Sequence, residues 1–189
     1  MAQNSNYVTV DGEFDSLEDR SFLTIDDYDL SGQNVILRID INSSINPENG
    51  DLLDDTRIKR HSGTVKELSD KYARVIVLAH QSRPGKLDFV NLEKHGNRMS
   101  QIINKEVKFI DDIYGKKAIE HINKIKNGEI ILLDNVRFDD EEIELSKFMN
   151  DNFDLQRKSK MVRKLSPQAS FFINAVSYTH LTLPTILLV

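Results

Sequence analysis

The sequence contains no cysteine, and only 8 of its 189 residues are glycine and 4 are proline. Without cysteine there can be no disulfide, no thiolate metal ligand and no cysteine nucleophile, which favours a cytoplasmic location. The low glycine and proline content, with 39% hydrophobic and 29% charged residues, excludes collagen-like, low-complexity and wholly disordered chains. The composition is that of a globular domain.

Long apolar runs and glycine-rich phosphate motifs are also missing. No stretch approaches the roughly 18 apolar residues of a membrane span, and the first residues lack the basic-then-apolar order of a signal peptide. We therefore expect a soluble protein without a membrane partner. Neither G-x-x-x-x-G-K-[ST] nor G-x-G-x-x-G occurs, so the residues show no nucleotide site.

The net charge of −5 is concentrated near the N-terminus. Residues 1–30 hold eight Asp or Glu and one Arg, so they carry −7 and the other 159 residues carry +2. A body so close to neutral lacks the basic excess of a nucleic-acid-binding protein, and we expect no nucleic-acid partner. Residues 1–21 are polar and without apolar periodicity, which predicts a mobile acidic extension.

From residue 22 onward, short β-branched runs alternate with stretches of helical spacing. The predicted strands are Asn34–Ile41, Arg74–His80, Val107–Ile110, Glu129–Leu133 and Phe171–Ile173. Helices are predicted near 57–72, 92–103 and 117–125, and residues 139–166 are largely helical in pattern. This alternation predicts an α/β fold over residues 22–174, a Rossmann-like three-layer sandwich with a parallel sheet.

The last segment, residues 175–189, departs from this pattern. Its end, from Ser177 to Val189, has no charged residue, contains a proline and fits neither the helical nor the strand pattern before it. We interpret residues 175–189 as a non-native tail and leave them out of the predicted fold.

Polar side chains follow three of the predicted strands. In an open parallel sheet, ligands bind beyond the carboxyl ends of the strands. The residues at that edge are Asp40 and Asn42, His80 and Arg83, Asn135 and Arg137, with Arg57 opening the first helix. Taken singly, each is more simply a loop or turn residue. Together, three arginines and a histidine in a near-neutral body predict a pocket for a small organic anion, because arginine suits carboxylate and phosphate.

Metal and phospho-acceptor sites receive less support. His61, His95 and His121 lie in helical stretches without ligand spacing, so we expect no metal site. The pair Asp111-Asp112, with Asp40, could belong to a magnesium-dependent receiver-like signalling domain. A cap for the following helix explains that pair more simply, and the receiver-like alternative does not explain the arginines.

Four motifs, in this order, resemble the N-terminal domain of the phosphoglycerate kinase family. They are Arg38-Ile-Asp-Ile-Asn42, Asp54-Asp-Thr-Arg-Ile58, Ala79-His-Gln-Ser-Arg-Pro84 and Asp134-Asn-Val-Arg-Phe138. The resemblance covers residues 22–174, and INPENG with AHQSRPGK is most similar to the archaeal branch. Ile39, Ser44 and Asp134 depart mildly from the commoner Val, Pro and Glu of the family.

The resemblance implies phosphoryl transfer between 1,3-bisphosphoglycerate and ADP, or in reverse between ATP and 3-phosphoglycerate, in glycolysis and gluconeogenesis. It implies that Arg57 is the transition-state residue and that the substrate is bound by Asp40, Asn42, Arg57, His80, Arg83 and Arg137. It also implies a C-terminal domain that binds Mg-ATP or Mg-ADP and closes on this one by a hinge motion.

The pattern departs from the family after Phe172-Ile-Asn174, where Ala175-Val-Ser177 replaces Asp-Ala-Phe and a further substrate arginine is not found. We therefore expect a truncated kinase whose 189 residues bind the glycerate substrate but do not turn over alone. The alternative is a non-catalytic module that binds a phosphorylated carboxylic acid, or a fragment that binds nothing.

Overall fold

A computed structural model describes residues 25–146, 158–176 and 185–188 of the chain. They form a sheet with helices on both faces. The strands are β1 (Asn34–Arg38), β2 (Arg74–Leu78), β3 (Val107–Ile110), β4 (Ile130–Leu133), β5 (Phe171–Asn174) and β6 (Thr185–Leu188). Their order in the sheet is β3-β4-β2-β1-β5-β6, and all pairs are parallel except β5 with β6. The predicted α/β fold with a parallel sheet is confirmed.

The helices are α1 (Thr56–Asp70), α2 (Glu93–Ile103), α3 (Lys116–Lys124), α4 (Asp140–Ser146) and α5 (Lys160–Leu165). Three short 3-10 turns add Ile25–Asp27, Val136–Phe138 and Ser166–Gln168. None of the helices that the structure describes has the length and hydropathy needed to span a bilayer.

Each face of the sheet has its own apolar core, because successive strand side chains point to opposite faces. On one face, Val35 and Leu37 of β1 pack with Val65 of α1 and Met99 of α2. On the other, Ile36 packs in a cluster with side chains of α3 and α5, namely Ala118, Ile122, Met161 and Leu165. Strands buried on both faces explain the nearly continuous apolar runs in the sequence.

Two strands end earlier than predicted and one strand was not predicted. β2 ends at Leu78 and not at His80. β1 ends at Arg38 and not at Ile41, because Asp40 accepts a hydrogen bond from the backbone N–H of Asn42 and turns the chain out of the sheet. The segment left out of the predicted fold supplies β6, which pairs antiparallel with β5. Residues 1–21, and 147–157 of the predicted helical stretch, lie outside the described residues.

Candidate functional site

Three neighbouring strands, β4, β2 and β1, end in the loops that carry the predicted site residues. Asp40 and Asn42 follow β1, His80 and Arg83 follow β2, and Arg137 follows β4. Because these strands are parallel and adjacent, their carboxyl ends bring the three loops to one edge of the sheet.

Arg57 reaches this edge from the first turn of α1. Its guanidinium forms an ion pair with the carboxylate of Asp40, and about half of the Arg57 side chain remains exposed. The other carboxylate oxygen of Asp40 accepts from the backbone N–H of Asn42 at 3.0 Å. Asp40 therefore fixes both the start of its own loop and the position of Arg57.

Ser82, on the loop after β2, bonds side chains of the loops after β1 and β4. Its backbone N–H donates to Oδ1 of Asn42 at 2.9 Å, and its carbonyl accepts from Nη1 of Arg137. Ser82 has a φ of 54°, a left-handed conformation that is uncommon for a residue other than glycine. Its hydroxyl donates to Asp88 at 2.6 Å. Three side chains thus hold a strained backbone position between Asn42 and Arg137.

His80 lies among arginines. Burial is the main cause that lowers the pKa of His80 to about 4, and the charges of Arg137, Arg38 and Arg57 lower it further while Asp40 opposes them. The imidazole is therefore neutral at pH 7. Its Nδ1 is buried without a hydrogen-bond partner among the described residues.

Arg38, which the sequence analysis did not select as a site residue, belongs to the same group of charges. It is the last residue of β1 and forms an ion pair of 2.9 Å with Glu142. Burial lowers the pKa of Arg137, and the charges of Arg38 and of the exposed Arg83 act in the same direction. Arg38 was missed because it stands inside a strand pattern, where a charged end residue signals nothing unusual.

Two buried amides support the loops and were also missed as a pair. Asn135 bonds the backbone of Gln81, and the Gln81 side chain bonds the backbone of Ser43. His95 is fully buried in α2, with Nε2 3.1 Å from Oε1 of Gln81. Burial lowers the pKa of His95 to about 4, so this imidazole is also neutral at pH 7.

The pair Asp111-Asp112 follows β3. The carboxylate of Asp112 accepts from the backbone N–H groups of Gly115 and Ala118, each at 2.9 Å, at the start of α3. Asp111 forms an ion pair with Lys117. The helix-cap interpretation of this pair is confirmed for Asp112, whereas Asp111 pairs with a side chain of α3.

The remaining histidines have no common partner. Nδ1 of His121 lies 2.9 Å from the carbonyl of Lys117, and burial lowers the pKa of His61 on α1. Within residues 25–146, 158–176 and 185–188, no group of three or more His, Cys, Asp or Glu side chains could hold a metal ion.

The arrangement suits a small anion with more than one charged group. In the part of the chain that the structure describes, Arg38, Arg57, Arg83 and Arg137 outnumber the carboxylates that act on them, Asp40 and Glu142. Arginine binds carboxylate and phosphate with two parallel hydrogen bonds, and a neutral histidine adds a donor without adding repulsion. The geometry can therefore neutralise and orient a phosphorylated carboxylic acid.

Comparison with known proteins identifies the family that this chain resembles. The family model described as phosphoglycerate kinase matches residues 25–183. The chain is 45% identical over 166 residues to the phosphoglycerate kinase of Methanothermobacter thermautotrophicus, covering 87% of this chain and 39% of that relative. The kinase of Methanococcus maripaludis is 46% identical over 168 residues, covering 87% and 41%.

A solved structure agrees. The crystal structure of phosphoglycerate kinase from Pyrococcus horikoshii OT3 superimposes with a TM-score of 0.75 at 30% identity, covering 82% of this chain and 36% of that one. This chain spans about two fifths of the length of the curated relatives named here. The motifs at the ends of β1, β2 and β4 lie within the matched residues. The chain belongs to the phosphoglycerate kinase family.

Proposed function

We propose that this chain forms the glycerate-binding part of a phosphoglycerate kinase and that its arginine-rich edge binds 3-phosphoglycerate or 1,3-bisphosphoglycerate. The observation that carries the proposal is the group of four arginines at this edge, in which Arg38, Arg57 and Arg137 act on the neutral His80 and Arg83 acts on Arg137. Their charge exceeds that of Asp40 and Glu142, so the site favours a ligand that supplies negative charge. A cytoplasmic location is part of the proposal.

The substrate carries a phosphate at one end and a carboxyl group at the other, and the site offers donors on three loops. Arg137 and His80 lie on the loops after β4 and β2, and Asn42 lies on the loop after β1. Oδ1 of Asn42 is already used by the N–H of Ser82. That bond fixes which way the Asn42 amide faces, and an anion would be met by its donor, Nδ2.

Arg57 is the proposed catalytic residue. It stands on the first turn of α1, half exposed and paired with Asp40, so substrate can draw its guanidinium away without opening the core. Phosphoryl transfer depends on positioning and on stabilising the charge of the transferred group. A single well-placed arginine is worth about 10³ to 10⁵ in rate in related reactions. Mg-ADP or Mg-ATP would be held by a domain outside these 189 residues.

A binding experiment tests the proposal. The melting temperature of the 189-residue chain is measured at millimolar 3-phosphoglycerate, and the same titration is run on an Arg57→Ala, Arg137→Ala double variant. Ligand that binds only the folded state raises the melting temperature by mass action, so the wild type should shift and the double variant should not. Arg163→Ala, which removes an exposed arginine on α5, is the matched control and should shift like the wild type.

The choice of ligand identifies the chemistry. Glycerol 3-phosphate, which has no carboxylate, should shift the melting temperature less than 3-phosphoglycerate does. Equal shifts of the melting temperature would mean that the site binds the phosphate group and makes no use of the carboxylate. No shift at millimolar 3-phosphoglycerate would overturn the proposal.

An assay of turnover separates a kinase fragment from an active enzyme. We expect no ATP-dependent turnover of 3-phosphoglycerate by the 189 residues alone, because neither glycine-rich nucleotide motif occurs in them. Turnover by this chain would contradict that expectation. Binding without turnover is also what a non-catalytic anion-binding module would give. Adding the nucleotide-binding domain of a relative in trans distinguishes the two, since only a kinase fragment should then become active.

A further inference from the structure

Two buried side-chain amides join the three loops of the proposed site in series. Asn135, on the β4 loop, donates from Nδ2 to the carbonyl of Gln81 at 2.8 Å and accepts from the N–H of Gln81 at 3.2 Å. The side chain of Gln81, on the β2 loop, repeats this pattern with Ser43 on the β1 loop, at 2.9 Å for both bonds. Asn135 and Gln81 are both 0% exposed.

Each amide holds the backbone next to a proposed ligand residue. Gln81 lies directly between His80 and Ser82, and Ser43 follows Asn42. Asn135 also accepts from the N–H of Arg137 at 3.2 Å. A displacement of either amide would therefore move donors on two loops at once.

His95 fixes the orientation of the Gln81 amide. The two bonds to Ser43 set Oε1 of Gln81 toward an N–H donor, and Nε2 of His95 lies 3.1 Å from that same oxygen. An acceptor there would face another acceptor, so Nε2 of His95 carries the hydrogen. The Gln81 oxygen thus has two donors and cannot exchange places with its nitrogen.

A stabilising role alone does not explain this arrangement. Neutral buried hydrogen bonds add little net stability relative to well-packed apolar groups, but they impose one geometry. The left-handed backbone of Ser82 lies beside the Gln81 position and is held in that geometry by Asn42 and Arg137.

We propose that Gln81 and Asn135 are positioning residues that set the spacing between Asn42, His80 and Arg137. This proposal rests on the proposed function for its ligand. Its structural part, that the two amides couple the three loops, is tested without ligand.

The first test uses ligand-free protein and nuclear magnetic resonance. Gln81→Met keeps the length of the side chain and removes both bonds to Ser43. We expect the side-chain signals of Asn42 and Arg137, on two loops that are not mutated, to shift or broaden. Gln101→Met, the same change at an exposed position of α2, should leave both signals unchanged. Unchanged signals of Asn42 and Arg137 in Gln81→Met would overturn the proposal.

The second test uses calorimetric titration well below the melting temperature, so that all variants are folded. Gln81→Met should lower the affinity for 3-phosphoglycerate about tenfold or more. The affinity for inorganic phosphate should fall less than about threefold, because only the larger ligand spans the loops. Equal weakening of both ligands, or a lower melting temperature with unchanged affinities, would show a merely structural role and overturn the proposal.

A second variant covers the case in which Gln81→Met does not fold. Asn135→Ala removes the bonds of the Asn135 amide to Gln81, Val90 and Arg137 and adds no charge. It should also weaken the binding of 3-phosphoglycerate more than the binding of inorganic phosphate. If the wild type binds no 3-phosphoglycerate while the signals of Asn42 and Arg137 respond in the variants, the proposed function fails and the coupling of the loops stands.

Discussion

One edge of the sheet carries two groups of opposite charge: the arginines on and after β1, β2 and β4, and the carboxylates around the start of α3, of which Asp134 itself follows β4. The carboxylates near α3 already hold backbone N–H groups: Asp112 caps α3, Asp134 accepts from Leu92 and Asn135, and Glu141 accepts from Lys160. Arg38, Arg57 and Arg137 also have partners, namely Glu142, Asp40 and the Ser82 carbonyl, but each guanidinium has five N–H donors and keeps some of them for a ligand. Charge alone therefore does not mark a binding site, and the bonds that a charged group already makes decide its role.

The largest expected effect on stability lies on the acidic side. A Cβ at residue 115 would stand 2.7 Å and 2.8 Å from the two carboxylate oxygens of Asp112. Gly115→Ala must therefore displace the Asp112 carboxylate and break its bonds to the start of α3. We expect a loss of about 2 kcal/mol of unfolding free energy in urea denaturation.

A control in the same protein accompanies this change. A Cβ at Gly63, in the middle of α1, would have no atom of the described residues within 4 Å apart from the backbone of α1 itself. Gly63→Ala should stabilise the protein by about 0.5 to 1 kcal/mol through helix propensity. Both variants should bind 3-phosphoglycerate like the wild type, and loss of affinity in Gly115→Ala would contradict the separation of the two regions.

Acid should destabilise the protein through the buried His95. His95 has a pKa of about 4 in the folded protein and an ordinary value of 6.5 when unfolded. Its contribution to stability is therefore complete above pH 6.5 and is lost as the pH falls toward 4, by about 2 kcal/mol between pH 7 and pH 5. In denaturant titrations at both pH values, His95→Gln should lack this part of the loss. An unchanged pH dependence in that variant would contradict the burial of a neutral His95.

Asp134 should change the stability with pH in the opposite direction to His95. Burial raises its pKa, and the charges of Asp111 and Asp112 raise it further, although the backbone N–H groups of Asn135 and Leu92 oppose this. A carboxyl group whose pKa is raised in the folded state gains stability as the pH falls through that pKa. The stability of Asp134→Asn relative to the wild type should therefore fall on acidification.

The smallest expected effect is on ligand affinity, and it tests whether the site needs an arginine or only a positive charge at residue 137. Arg137→Lys keeps the charge and loses the planar group that bonds the Ser82 carbonyl. We expect about tenfold weaker binding of 3-phosphoglycerate in calorimetry, because lysine cannot make the two parallel bonds. Arg74→Lys changes an arginine at the start of β2, at the opposite edge of the sheet, where it bonds Asn127 and Asn34, and it should leave the affinity unchanged. Equal affinities of Arg137→Lys and wild type would show that charge suffices.

The sequence patterns predicted the central sheet closely, because each buried strand is a short β-branched run that ends in a polar loop. Val107–Ile110 was predicted with the bounds that β3 has. The extra residues predicted for β1 are buried like strand residues, and only the turn at Asp40 removes them from the sheet. β6 lies in a segment without periodicity, so no pattern pointed to it.

The charged residues of the candidate site could be predicted from the sequence. The convergence of Asp40, His80 and Arg137 follows from the rule that parallel strands end at one edge. The amide series through Asn135 and Gln81 was not predictable, because it depends on β4 lying next to β2 and β2 next to β1. Uncharged amides in a sequence do not reveal which loops they will join.

The most direct test of the account follows the histidine ring signals by nuclear magnetic resonance as a function of pH, with and without 3-phosphoglycerate. His80 and His95 both have a pKa of about 4, but only His80 lies among the arginines. An anion bound there adds negative charge beside the ring, so the pKa of His80 should rise while that of His95 stays near 4. An unmoved pKa of His80 at saturating 3-phosphoglycerate would contradict the account.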